Sequence, residues 1–100
     1  MSAKGCVGML DERTKTDYMT KMADNLVILR KKLKLTQAEL AKRVGISRQT
    51  LMDIENKKRP MAWNTFMSLF GVFRANEDTS SLLTFYSIST EELTRFITNS

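Results

Sequence analysis

Apolar residues recur along this 100-residue chain at intervals of three and four rather than two, which is the period of a helix with one buried face. Leu26, Leu29 and Leu33 follow that spacing and Leu35 closes the run, predicting a first helix from about Ala23 to Lys34. Tyr18, Met19 and Met22 offer a backward extension of it. Thr36 followed by Glu39 forms a capping-box pattern, so a second helix begins at Gln37. It buries Leu40, Ala41 and Val44 and stops at Gly45, a residue free to take the left-handed conformation that closes a helix, with Ile46 filling the corner. Ser47 caps a third helix with Leu51 and Ile54 inward, leaving Arg48, Gln49, Thr50, Met52 and Asp53 with a large outward component.

A fourth helix follows Pro60 and carries Trp63, Phe66, Met67, Phe70 and Phe73, with Leu69 and Val72 widening its apolar stripe. Those side chains surround more of the helix than one small core covers, so most are expected inside and a subset against a second subunit. Glu77 and Asp78 open a short helix through Leu82, Leu83, Phe85 and Tyr86. Ser89 and Glu92 repeat the capping-box pattern before Leu93, Phe96 and Ile97. The expected fold is all-α, a five- to six-helix bundle with six helices by this count, and it shows no internal repeat.

Length and a 42% hydrophobic content allow one compact domain with tails. Three stretches are distinguishable within it: 1–21 as an N-terminal tail or helix-one extension, 22–76 as the central unit, and 77–100 as C-terminal helices in dimer or partner contact. The lone Cys6 has no internal disulfide partner and is assigned no function. With no histidine, metal sites and imidazole base chemistry lose their usual groups, and no metal, cofactor or catalytic residue is expected. No long apolar run or signal-like segment occurs, pointing to a soluble, cytoplasmic protein without a membrane partner. The net charge of +5 is unevenly placed: residues 22–62 carry +6 and residues 63–100 carry −2. A polyanion is therefore expected to meet the middle of the chain.

Two helices of about eight residues joined at Gly45 must cross steeply, with Ala41 small enough to allow the contact. The outer helix then projects from the body, and a projecting helix with cationic flanks fits the major groove of DNA. In these residues the chain resembles the helix-turn-helix of the phage repressor and Cro type. The likeness spans about Asn25 to Phe73, and its matching features are Gln37, Ala41, Gly45, the inward apolar positions and the closing Ile54-Glu55-Asn56. It implies a bundle of about five helices, usually dimeric, that binds an operator in double-stranded DNA to control transcription.

Carried onto this chain, the family pattern makes Arg48 and Gln49 the leading base contacts. Arginine suits guanine and glutamine suits adenine. Thr50, Met52 and Asp53 follow as lesser base contacts: Thr50 is placed to touch a phosphate or a thymine methyl, Met52 and Asp53 lie further along the exposed side, and Asp53 serves equally well to repel phosphates in wrong registers. Gln37 becomes a phosphate contact at the start of helix two. Asn56, Lys57, Lys58 and Arg59 become backbone contacts that hold register. Many relatives have glycine where Lys57 stands, which leaves the geometry of that loop open. Arg30 and Glu55 match a partly buried family ion pair and are structural, as are Ala41 and Gly45. The resulting expectation is a dimeric repressor on an inverted-repeat operator. Two alternatives stay open: the antitoxin half of a toxin–antitoxin operon, gripping a small protein through Leu82, Phe85, Tyr86 or Phe96, and an interaction scaffold that does not read DNA.

Overall fold

The computed structural model describes residues 10–99; Cys6 and the rest of the first nine residues lie outside the described residues, as does Ser100. Six helices and no strand are found among the described residues: α1 (Glu12–Lys32), α2 (Gln37–Val44), α3 (Arg48–Glu55), α4 (Trp63–Arg74), α5 (Glu77–Phe85) and α6 (Glu91–Asn99). The all-α fold read from the apolar spacing is the fold observed.

The first helix differs from the sequence expectation at both ends. It starts at Glu12, because the Asp11 carboxylate accepts the Thr14 N–H at 2.7 Å and caps the end. It stops at Lys32, because Lys34 adopts a left-handed φ of 59° and its N–H turns back to the Lys31 carbonyl. An L-residue with a long side chain pays roughly 1–2 kcal/mol for that conformation, and glycine does not. Lys34→Gly is accordingly expected to stabilise the protein by about 0.5–1 kcal/mol, once the extra backbone entropy of an unfolded glycine is subtracted. A urea midpoint that falls in this variant would contradict the left-handed assignment.

A single core gathers side chains from all parts of this sequence: Met22, Leu26 and Leu29 of α1, Leu40 of α2, Leu51 of α3, Phe66, Leu69 and Phe73 of α4, Leu83 of α5 and Leu93 of α6 are all fully buried. The long α1 is the spine on which α3, α4 and α5 pack. Its N-terminal half and α6 meet the aromatic side of α4. Phe96 meets the Trp63 ring edge-on at 6.0 Å, and the Lys15 ammonium sits 5.4 Å from the Trp63 centroid. The Tyr18 hydroxyl bonds the Thr90 hydroxyl and donates to the Glu92 carboxylate at 2.7 Å. Burial, followed by the neighbouring carboxylate, raises the phenol above its ordinary pKa, while the Thr90 bond opposes the shift.

The start of α6 also departs from the expected capping box. Thr90, not Ser89, holds the cap, its hydroxyl accepting the Leu93 N–H at 3.1 Å, and Glu92 faces Tyr18 instead of turning back on the chain. A serine and a threonine side by side leave the choice to tertiary contact. Where α4 meets α5, the buried Thr79 hydroxyl donates to the Phe73 carbonyl at 2.6 Å, satisfying a polar group inside the core.

Candidate nucleic-acid interface

The α2–α3 unit is fixed by short-range chemistry at each of its ends. The Thr36 hydroxyl accepts the Glu39 N–H at 3.0 Å, and the Glu39 carboxylate accepts the Thr36 N–H at 2.8 Å. That backbone N–H, with help from the hydroxyl, holds the Glu39 carboxyl below its ordinary pKa. At the other end of α2, Gly45 takes φ 77°, and the Ile46 N–H returns to the Ala41 carbonyl at 3.0 Å. Nothing lies within 4 Å of where a Gly45 side chain would begin, so the glycine serves the left-handed turn and not a close approach. Ser47 then caps α3 by accepting the Thr50 N–H at 3.0 Å. The buried Ala41 lies on the α2 face that packs inward.

Leu51 and Ile54 are buried and anchor α3, and its first two residues, Arg48 and Gln49, are exposed. Thr50, Met52 and Asp53 are half-buried. The Thr50 hydroxyl is engaged by the Ser47 hydroxyl at 2.8 Å, and the Gln49 amide donates to the Asp53 carboxylate at 3.0 Å. Asn56, Lys57, Lys58 and Arg59 are all exposed just beyond α3. The structure thus leaves Arg48 and Gln49 exposed at the start of α3 and the four residues after it exposed at its end, with the apolar side of the helix on the core.

Gln37 occupies the start of α2 but is not a free polar side chain: its amide donates to Glu55 at 2.9 Å. Glu55 also receives the Arg30 Nε at 2.7 Å and Nη2 at 3.2 Å, while Arg30 Nη1 reaches the Leu35 carbonyl at 3.1 Å. The carboxylate is 3% exposed and the guanidinium 11%. One acidic side chain at the end of α3 therefore ties α1 and α2 together, and Arg30 extends the link to the turn after α1. The resemblance pointed to Arg30 with Glu55; the share taken by Gln37 carries no signal in the spacing.

Two further features escaped sequence reading. Lys57 has φ 62°, so the loop keeps the left-handed backbone for which glycine is suited even though a lysine stands there. Its ammonium pairs with Asp24 of α1 at 2.6 Å, across 33 positions of sequence. Asp24 thus belongs beside the basic run, on the wall of a groove that also includes Met19, Ala23, Lys58 and Met61. Both partners are about half exposed, so the pair contributes little to stability. Its effect is on how much of the Lys57 charge is left unpaired.

A family model described as helix-turn-helix matches residues 26–61, from the middle of α1 to the loop before α4. No match is found among curated proteins or solved structures. Among the described residues no helix is long and apolar enough to cross a membrane.

Proposed function

We propose that this chain is a sequence-specific transcriptional repressor acting as a dimer on an inverted-repeat operator, on the premise that residues 26–61, which match the helix-turn-helix family of Cro- and C1-type repressors and related regulators, bind DNA as that domain does. The observation that carries the reading is the state of α3: its inner face is fully engaged by Leu51 and Ile54, while Arg48 and Gln49 at its tip stand exposed. A helix anchored on one side and open at its N-terminal end can enter a groove about 12 Å wide without rearranging the body. Lys58 and Arg59 stand just behind it to hold phosphates. Repression follows from occupancy, since a small helical body seated on a promoter excludes other proteins from it.

Dimer formation is supported by the two large apolar side chains left exposed among the described residues, Ile28 at 51% and Phe85 at 78%. Ile28 lies one helical turn before Lys32, and Lys32 shares a groove with Leu82 and Phe85. Glu77 and Asp78 line the same groove. A groove that carries a cation, carboxylates and apolar side chains together offers each group a complement on a second copy under two-fold symmetry.

Selection from a pool of random duplexes, followed by sequencing of the retained DNA, tests the reading. The expected product is an inverted repeat whose half-sites are centred about 34 Å apart, one turn of the duplex. Arg48→Ala is expected to cost about 1–3 kcal/mol of binding on the selected site and to relax preference at one base pair of each half-site. If the wild-type protein enriches no sequence, the chain does not read DNA and the scaffold alternative takes its place.

A further inference from the structure

On the premise that α3 reads base edges, we infer that Asp53 is a positioning residue that sets the orientation of the Gln49 carboxamide and thereby makes Gln49 a reader of adenine. The two side chains are four positions apart on one face of α3, and the Gln49 Nε2 donates to Asp53 Oδ1 at 3.0 Å. A carboxylate only accepts hydrogen bonds, so only the nitrogen side of the amide can face it. The amide oxygen is turned away from Asp53, and one N–H remains for a second partner.

This fixes what Gln49 presents outward. An unrestrained glutamine rotates its amide and offers either a donor or an acceptor to a given atom. When the N–H anti to Oε1 is the one that Asp53 engages, Oε1 and the syn N–H remain side by side on the free edge. In the major groove adenine offers an amino donor at N6 next to an acceptor at N7, which matches that edge in both positions. Guanine offers acceptors at both O6 and N7, so one of them faces the glutamine oxygen. Turning the amide over to suit guanine would point the same oxygen at the Asp53 carboxylate. Arg48, the neighbouring tip residue, has only donors and suits guanine. The two adjacent positions thus divide the reading between them, and Asp53 keeps their preferences distinct without itself touching DNA.

The test repeats the duplex selection with Gln49→Ala, Asp53→Ala and Asp53→Asn. The base pair read by Gln49 is the one whose preference disappears in Gln49→Ala. At that pair the wild-type protein is expected to favour adenine over guanine by about tenfold, and both Asp53 variants by about twofold or less, with the remainder of the motif unchanged. Asp53→Asn keeps the shape of the side chain: an asparagine can accept from the Gln49 nitrogen or donate to its oxygen, so it no longer selects one orientation. Thermal unfolding midpoints near wild type are expected, because the side chain is on the outer face of α3 and a negative charge near a helix C-terminus is not stabilising. An enriched motif whose Gln49 position keeps its full adenine preference in both Asp53 variants overturns this inference and leaves DNA reading intact. Absence of any motif in the wild-type protein overturns the DNA reading itself.

Discussion

Glu55→Ala is expected to lower the stability of the fold by about 3–5 kcal/mol, the range for breaking a buried ion pair by removing one partner. The variant strips the Arg30 guanidinium of two of its three hydrogen bonds and leaves it only the Leu35 carbonyl, and it leaves the Gln37 amide without its acceptor. The 11% exposure of Arg30 gives the charge a partial route back to water, which places the effect toward the lower end of that range. Small domains are stable by about 5–15 kcal/mol in total, so the loss is a large fraction, and a fall in Tm of roughly 15–25 °C is expected. The attraction is not the whole of the effect. Much of it is the penalty of stranding Arg30, so exchanging both partners for apolar residues, as in Arg30→Met with Glu55→Leu, is expected to recover a good part of the loss. Duplex selection with Glu55→Ala at low temperature should return the wild-type motif. A shifted motif with an unchanged Tm would mean that Glu55 acts on the DNA and not on the scaffold.

How far such a site can be read in sequence depends on the range of the interactions that build it. The joint between α2 and α3 was legible because its determinants lie within a few residues of one another: Thr36 with Glu39, Gly45 in the turn, Ser47 before α3. The start of α1 was not. Tyr18 and Met22 are in phase with Leu26 and Leu29, but what makes residues 12–21 worth ordering arrives from far downstream: Thr90 and Glu92 on the tyrosine hydroxyl, Trp63 and Phe96 around Lys15. The end of α1 failed for the opposite reason. Lys34 takes a left-handed conformation with a side chain that gives no hint of it, as does Lys57 at the end of α3. The same division runs through the site. Apolar periodicity already implied an outward face carrying Arg48 and Gln49. The engagement of Gln37 by Glu55, of Gln49 by Asp53 and of Lys57 by Asp24 depends on rotamers and on helix placement, and a list of polar residues on an exposed face does not distinguish free groups from occupied ones.

That last pairing shapes the second large effect, the response of DNA binding to salt. Lys57, Lys58 and Arg59 supply three cations per copy just after α3, six in the proposed dimer. Each phosphate neutralised releases counterions and adds about −0.9 to the slope of log K against log salt. Were all six engaged, raising salt from 50 to 200 mM would weaken binding on the order of a thousandfold. Asp24 holds Lys57 at 2.6 Å, however, and so competes with any phosphate for that ammonium. With Lys57 largely neutralised in this way the slope is set by Lys58 and Arg59, and the same change of salt is expected to cost about a hundredfold. Anisotropy titrations of a selected duplex across that range measure the slope directly. Lys58→Ala is expected to make it shallower by about one for each bound copy, on selected and unrelated duplexes alike. Asp24→Asn moves it the other way: freeing Lys57 steepens the slope by about one per copy and tightens binding at low salt, because the ion pair no longer competes with the phosphate. The fold should tolerate the change, since a pair half exposed on both sides contributes at most about 1 kcal/mol. A wild-type slope shallower than about −2 would place the basic run off the DNA, and an unchanged slope in Asp24→Asn would mean that Lys57 already leaves Asp24 for the phosphate when the complex forms.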